Sequence, residues 1–309
     1  MANVEPRMVE MIFNEILTSN QPVAWDQIAG LAFAKQAVQE IVIWPMLQPE
    51  LFTGLRQPPR GLLLFGPPGT GKTLIGKAIA TQAKSTFFNI SASSLTSKWI
   101  GDGEKMVRAL FGVARAMQPS VIFIDEIDSL LTSRGDNEQE ASRRIKTEFL
   151  LQMDGAAQGD GERLLVIGAT NRPQELDEAV RRRMVKRLYI PLPDTASRHS
   201  LTQIMLSKPG TQHSLSDADI ARIASLTRGY SGADLAALAR EAAMVPLREL
   251  SRSIGFASTA MGTAVVRPLC VDDFIDALRT TRSSVAEGEI THYREWNTSF
   301  GSWAETDEE

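Results

Sequence analysis

The sequence predicts an α/β domain of three layers on a five-stranded parallel sheet, followed by a small C-terminal helical domain. Three observations carry this. Five short apolar runs alternate with helical patterns between residues 61 and 190, and such alternation gives a parallel sheet covered on both faces. No run of strand character follows Pro191-Leu-Pro193-Asp194. The first run leads directly into a glycine-rich turn that opens a helix, the setting a phosphate loop requires.

The elements follow in chain order. Residues 6–17 place Met8, Met11, Ile12 and Ile16 at helical spacing, a short amphipathic helix in a linker of residues 1–24. It is short and not basic, which argues against a membrane anchor. The strands are the runs at 61–65, 86–90, 121–125, 164–169 and 187–190, with helices near 72–83, 103–117 and 138–153. Together they make a large α/β domain of residues 25–193. Helical periodicity returns at 196–207, 216–226, 231–252 and 271–282, with Ser216 and Ser231 as N-caps. These define a small helical domain of residues 194–285. The stretch 253–268 is rich in Ser, Gly and Thr and reads as a loop. Residues 286–309 form a C-terminal segment with an acidic end.

Composition narrows the function classes. Of 309 residues, 43% are hydrophobic and 23% charged, enough apolar material for a buried core. The net charge of −4 gives no general footprint for nucleic acid, so none is expected as a direct partner. The single Cys270 cannot form an internal disulfide, and His199, His213 and His292 are scattered, without metal-site spacing. No run reaches the length of a membrane span and no signal peptide opens the chain; a soluble intracellular protein is expected.

Gly66-Pro-Pro68-Gly69-Thr70-Gly71-Lys72-Thr73 is a full phosphate-loop match. Its glycines let backbone N–H groups wrap a phosphate at a helix N-terminus. Lys72 is expected to reach the β- and γ-phosphates, and Thr73 to ligate Mg²⁺. Val121-Ile-Phe-Ile-Asp125-Glu126 is an apolar strand ending in two acids, at the edge where open α/β sheets bind ligands. Asp125 is expected to hold Mg²⁺ through water, and Glu126 to orient and polarise an attacking water. Gly168-Ala-Thr170-Asn171 ends another apolar run; its amide could bond the attacking water or the γ-phosphate, or simply form a turn.

These three elements, in this order, resemble the AAA ATPases. The resemblance is most specific to the meiotic clade, the katanin, spastin and fidgetin group, with fidgetin-like proteins as the nearest subgroup. Carrying it are Phe52-Thr-Gly-Leu55, Gly71-Lys-Thr-Leu-Ile-Gly76, Ser97-Lys-Trp99-Ile-Gly-Asp-Gly-Glu104, Ser142-Arg-Arg144-Ile-Lys-Thr-Glu148 and Val185-Lys-Arg-Leu-Tyr-Ile-Pro191. It implies a P-loop AAA+ fold with a helical lid, ATP and Mg²⁺ as cofactors, and a nucleotide-promoted homo-hexamer whose isolated core assembles weakly. By the same resemblance Asp26, Ile28, Ala29 and Gly30 frame the adenine. Pro68 to Leu74 hold the phosphates, and Gly232 and Ala233 close from the lid. Arg182 and Arg183 match arginine fingers that act on a neighbour's nucleotide. Lys98, Trp99 and Ile100 match a first pore loop, and Arg143 and Arg144 a second. Tyr293, Trp296, Phe300 and Trp303 resemble the C-terminal helix that packs on the ATPase domain.

The expected activity is ATP-driven remodelling of proteins, with a peptide threaded through the pore. A basic pore suits acidic protein tails such as those of tubulin, so microtubule severing is the leading expectation, in the cytoplasm on the cytoskeleton or in the nucleus. Disassembly of recombinase filaments in the nucleus is the alternative within the class. A nucleotide-gated scaffold with little turnover is the rival from another class, and Glu126, Asn171 and the arginine pair argue against it.

Overall fold

The computed structural model describes residues 5–13, 23–97, 102–131, 140–158, 162–254 and 266–302. Its centre is a parallel sheet of β1 (Gly61–Phe65), β2 (Thr86–Ser91), β3 (Ser120–Asp125), β4 (Leu164–Thr170) and β5 (Lys186–Tyr189), in the order β2-β3-β4-β1-β5. The runs in β1 and β4 are buried at every position, as expected of central strands covered on both faces. This order places β4 between β3 and β1. The C-terminal ends of all three therefore sit side by side, where sheets of this kind bind ligands.

Alternate side chains of each strand enter separate cores. Leu63 and Phe65 point into one with Ile122, Ile124 and Val166, while Leu62 and Leu64 point into the other with Val121, Phe123 and Ile167. Each such side chain taken fully out of water is worth roughly 2 kcal/mol. Covering the first face are α1 (Pro6–Met11), α5 (Ala92–Ser97), α6 (Gly103–Ala116), α7 (Asp128–Leu131) and α8 (Glu140–Gln158). Covering the second are α2 (Ala32–Val38), α3 (Trp44–Leu47) and α4 (Lys72–Gln82). Between α2 and α3 the chain winds as a π-helical segment, Gln39–Ile43. Helix α9 (Glu178–Arg183) links β4 to β5.

Beyond β5 the chain is helical: α10 (Thr195–Leu206), α11 (Asp217–Leu226), α12 (Gly232–Ile254) and α13 (Val271–Ala277) enclose a third core around Leu235, Leu238 and Phe274. Ser216 caps α11 in a reciprocal box with Asp219, and Ser231 accepts from Asp234 N–H at the start of α12. The last helix, α14 (Glu287–Phe300), returns to the sheet.

Several boundaries differ from the sequence reading. The edge strand β5 lies one residue earlier than its apolar run, because its bounds follow pairing with β1, from Leu62↔Lys186 to Phe65↔Tyr189. Helix α13 stops at Ala277, where 271–282 is expected, and α8 runs on to Gln158. The N-terminal helix is α1, ending at Met11, and residues 14–17 lie outside the described residues.

Candidate nucleotide site

At the end of β1 the chain turns sharply. A Cβ on Gly66 would lie 2.3 Å from the Ile190 carbonyl oxygen, so only glycine fits. Gly71, at φ +90°, precedes the first turn of α4, a left-handed conformation that glycine adopts without strain. The Lys72 ammonium folds back into this loop and donates to the carbonyls of Gly66 (2.8 Å) and Pro67 (2.7 Å). Burial pulls its pKa down from 10.5 to about 8, against the opposing pull of Asp125 and Asp128.

Across the loop, Thr73 Oγ1 donates to Asp125 Oδ2 at 2.8 Å. Asp125 Oδ1 in turn accepts from the Glu126 backbone N–H at 3.0 Å. Glu126 has φ +51°, a left-handed conformation costing a non-glycine residue roughly 1–2 kcal/mol. The bend leaves its side chain exposed at the strand end. Asn171, one residue past β4, has a buried Oδ1 without a hydrogen-bond partner. Asp128 was not singled out by sequence; its Oδ1 accepts from Thr170 Oγ1 at 2.6 Å and so ties α7 to the end of β4. The only local signal is its place two residues after Glu126.

The paired Thr73 hydroxyl and Asp125 carboxylate are hard oxygen donors. No group of three or more His, Cys, Asp or Glu that could hold a metal occurs among the described residues. One carboxylate and one hydroxyl suit Mg²⁺, which keeps waters and substrate phosphates for its other positions.

These groups open into a cleft of about 1030 Å³ between sheet and lid. Ile28, Ala29, Gly69 to Leu74, Asp125, Glu126, Asn171, Gly232 and Ala233 all line it. The sequence missed the apolar Leu201, Ile204 and Met205 of α10, which line it too. The lid meets the phosphate loop directly: Ala233 N–H donates to Gly69 O at 3.2 Å. Three expected residues are not brought to this wall. Asp26 and Pro68 are exposed. Gly30, at φ +64°, packs against Ser197, whose Oγ would lie 2.0 Å from a Cβ there. Asp234 is a cap, accepting from the N–H and hydroxyl of both Ser231 and Ser284.

The three arginines of α9 go three ways. Arg181 lies over the Phe300 ring at 4.9 Å. Arg183 makes a two-pronged pair with Asp154 of α8, at 2.7 and 2.5 Å, which holds that carboxyl below its ordinary pKa. Arg182 is exposed, paired along the helix with Glu178, and absent from the wall of its own cleft. Arg143 and Arg144 are exposed on α8. Lys98, Trp99 and Ile100 lie outside the described residues, as does Trp303.

Helix α14 packs on the sheet beside the site. Trp296 meets Phe65 edge-on at 4.5 Å, and Tyr293 stacks on Tyr189 at 6.3 Å. The Tyr293 hydroxyl donates to the Asn171 carbonyl at 2.5 Å.

A phosphate loop, a strand-end acid pair and a helical lid on one parallel sheet define a P-loop ATPase. Comparison with known proteins gives the family. Residues 62–192 match the model for the ATPase family associated with various cellular activities (AAA), residues 217–258 the AAA+ lid domain, and residues 258–301 the Vps4 C terminal oligomerisation domain. The chain belongs to the AAA ATPases, as the resemblance in its motifs implied. It is 58% identical over 300 residues to fidgetin-like protein 1 of Homo sapiens, covering 97% of this chain and 44% of that protein. The chain thus spans less than half the length of that relative. Among solved structures, the FIGL-1 AAA domain in complex with ADP aligns with a TM-score of 0.87 at 51% identity, covering 97% of this chain and 99% of that one. A katanin structure, described for its self-assembly, aligns at 0.80 and 40% identity, over 96% and 98% of the two chains.

Proposed function

We propose that the chain is the motor of a hexameric protein remodeller, which hydrolyses MgATP between subunits and draws a peptide through its pore. The observation that carries this is the placement of Arg182. Exposed on α9 and away from its own cleft, its guanidinium is available to a nucleotide held by another copy, where it would stabilise charge developing on the γ-phosphate. Arg183, held by Asp154, fixes α9 rather than reaching out. Within the cleft Lys72 binds the phosphates, Glu126 orients and deprotonates the attacking water, and Asn171 holds it. Thr73 and Asp125 would hold Mg²⁺, which would supply positive charge to stabilise the phosphates.

The substrate we propose is an acidic protein tail, and the activity microtubule severing on the cytoskeleton. Exposed Arg143 and Arg144 on α8 and similarity to a fidgetin-like protein and to katanin support that reading. The test is fluorescent microtubules with the protein and ATP, using tubulin with and without its C-terminal tails. Shortening that requires the tails is expected. Intact filaments beside an active ATPase would overturn severing and turn attention to nuclear filament assemblies.

A further inference from the structure

The geometry points to Tyr293 as a positioning residue for hydrolysis: its hydroxyl fixes the Asn171 backbone and thereby aims the Asn171 amide into the nucleotide cleft. This rests on the reading of Asn171 as the group that holds the attacking water.

The two residues are 122 apart in sequence and 2.5 Å apart between hydroxyl and carbonyl oxygen. Asn171 sits in a turn one residue beyond β4, where no sheet hydrogen bond restrains it. Its neighbours are fastened by side chains: the Thr170 hydroxyl bonds Asp128, and the Arg172 N–H donates to Thr170 Oγ1 at 2.8 Å. The Asn171 carbonyl has Tyr293 instead. Meanwhile its Oδ1 is buried and unpartnered, which costs about 1–3 kcal/mol and persists only where something else holds the residue in place.

Tyr293 is suited to that task. It is 8% exposed, and its ring is stacked on Tyr189 of β5, so the hydroxyl has little freedom. A phenol is already a donor at neutral pH, and burial, with Glu289 and Asp128, raises its pKa further. The helix carrying it is anchored a turn later by Trp296 against Phe65, the residue immediately before the phosphate loop. A hydrogen bond from α14 therefore registers the water-holding turn against the loop that grips the phosphates.

The test is Tyr293→Phe, which keeps the stacked ring and removes only the O–H, set beside Asn171→Ala and the double variant. The whole chain is assayed for ATP hydrolysis, ADP affinity, thermal midpoint and assembly at one concentration. For Tyr293→Phe, kcat should fall about tenfold to a hundredfold, the upper figure being the cost of misplacing a reacting group by about 1 Å. KM, ADP affinity and assembly should hold, and the thermal midpoint should drop only by the few degrees that one lost buried hydrogen bond costs. On the Asn171→Ala background the same change should cost nothing more, since residues acting as a unit are not additive. A Tyr293→Phe rate equal to wild type, a loss of assembly or of stability well beyond one hydrogen bond, or additive losses in the double variant would overturn the proposal. Full activity of Asn171→Ala would overturn the reading of that residue and the proposal with it.

Discussion

The Thr73 hydroxyl donates to the Asp125 carboxylate across 2.8 Å, joining the first turn of α4 to the end of β3. Two residues far apart in sequence thus present adjacent oxygens beside the phosphate loop. If they hold Mg²⁺, Thr73→Ser should keep hydrolysis near wild type. Thr73→Ala should raise the Mg²⁺ concentration for half-maximal hydrolysis by about tenfold. Titration of ATPase rate with Mg²⁺ reads this directly; an unchanged midpoint in Thr73→Ala would remove the threonine from the metal site.

Lys72 gives a pH prediction. Its folded pKa, lowered by burial from 10.5 to about 8, lies below that of the unfolded chain. Between these values the unfolded state binds the extra proton, so the cost of burying the ammonium is borne below pH 8 and is relieved as pH rises towards 10.5. Nucleotide phosphates favour the ammonium form. ADP binding near pH 8.5 should therefore take up a proton, seen by calorimetry as an enthalpy that varies with the ionisation heat of the buffer. Lys72→Met should abolish that uptake.

Glu126 combines an exposed carboxylate with a left-handed backbone. Glu126→Gln should retain ATP binding and lower kcat at least about a hundredfold, since general-base help is of that order. Glu126→Gly should be equally inactive yet more stable by about 1 kcal/mol, because glycine carries no penalty at that φ. Thermal melts separate the two variants; equal midpoints would mean the conformation stores no strain.

Arg182 and Arg183 are neighbours with different environments. Arg182→Ala should lose hydrolysis at an unchanged thermal midpoint. Arg183→Ala strands Asp154, a half-exposed partner, and should cost about 1 kcal/mol of stability as well. Melts and ATPase rates on both variants check this; equal stability loss in the two would erase the distinction.

The chemistry legible in the sequence is the part written in contiguous residues. Gly61 to Thr73 and Val121 to Glu126 each begin with an apolar strand and run straight into its turn, so the local pattern places both turns at the same edge of the sheet. The five strands were legible for the same reason, although β5, an edge strand with β1 as its one neighbour, takes its bounds from pairing. What was not legible depends on distant contacts. Asp128 matters through Thr170, Tyr293 through Asn171, and Arg183 through Asp154. No spacing rule carries such pairs. Ala32 to Leu47 were likewise not read as helix: a π-helical segment interrupts them, and Pro45 lies inside α3. The resemblance placed Asp26, Gly30 and Pro68 at the nucleotide, and none of the three is among the residues that line the cleft.

If a neighbouring subunit completes each nucleotide site, two inactive variants should restore hydrolysis when they are mixed. Glu126→Gln keeps its Arg182, and Arg182→Ala keeps its Glu126, so a mixed ring contains interfaces where both intact groups meet. With random assembly around a closed ring, an equimolar mixture should recover on the order of a quarter of the wild-type ATPase rate. A mixture no more active than its two components would contradict a shared site.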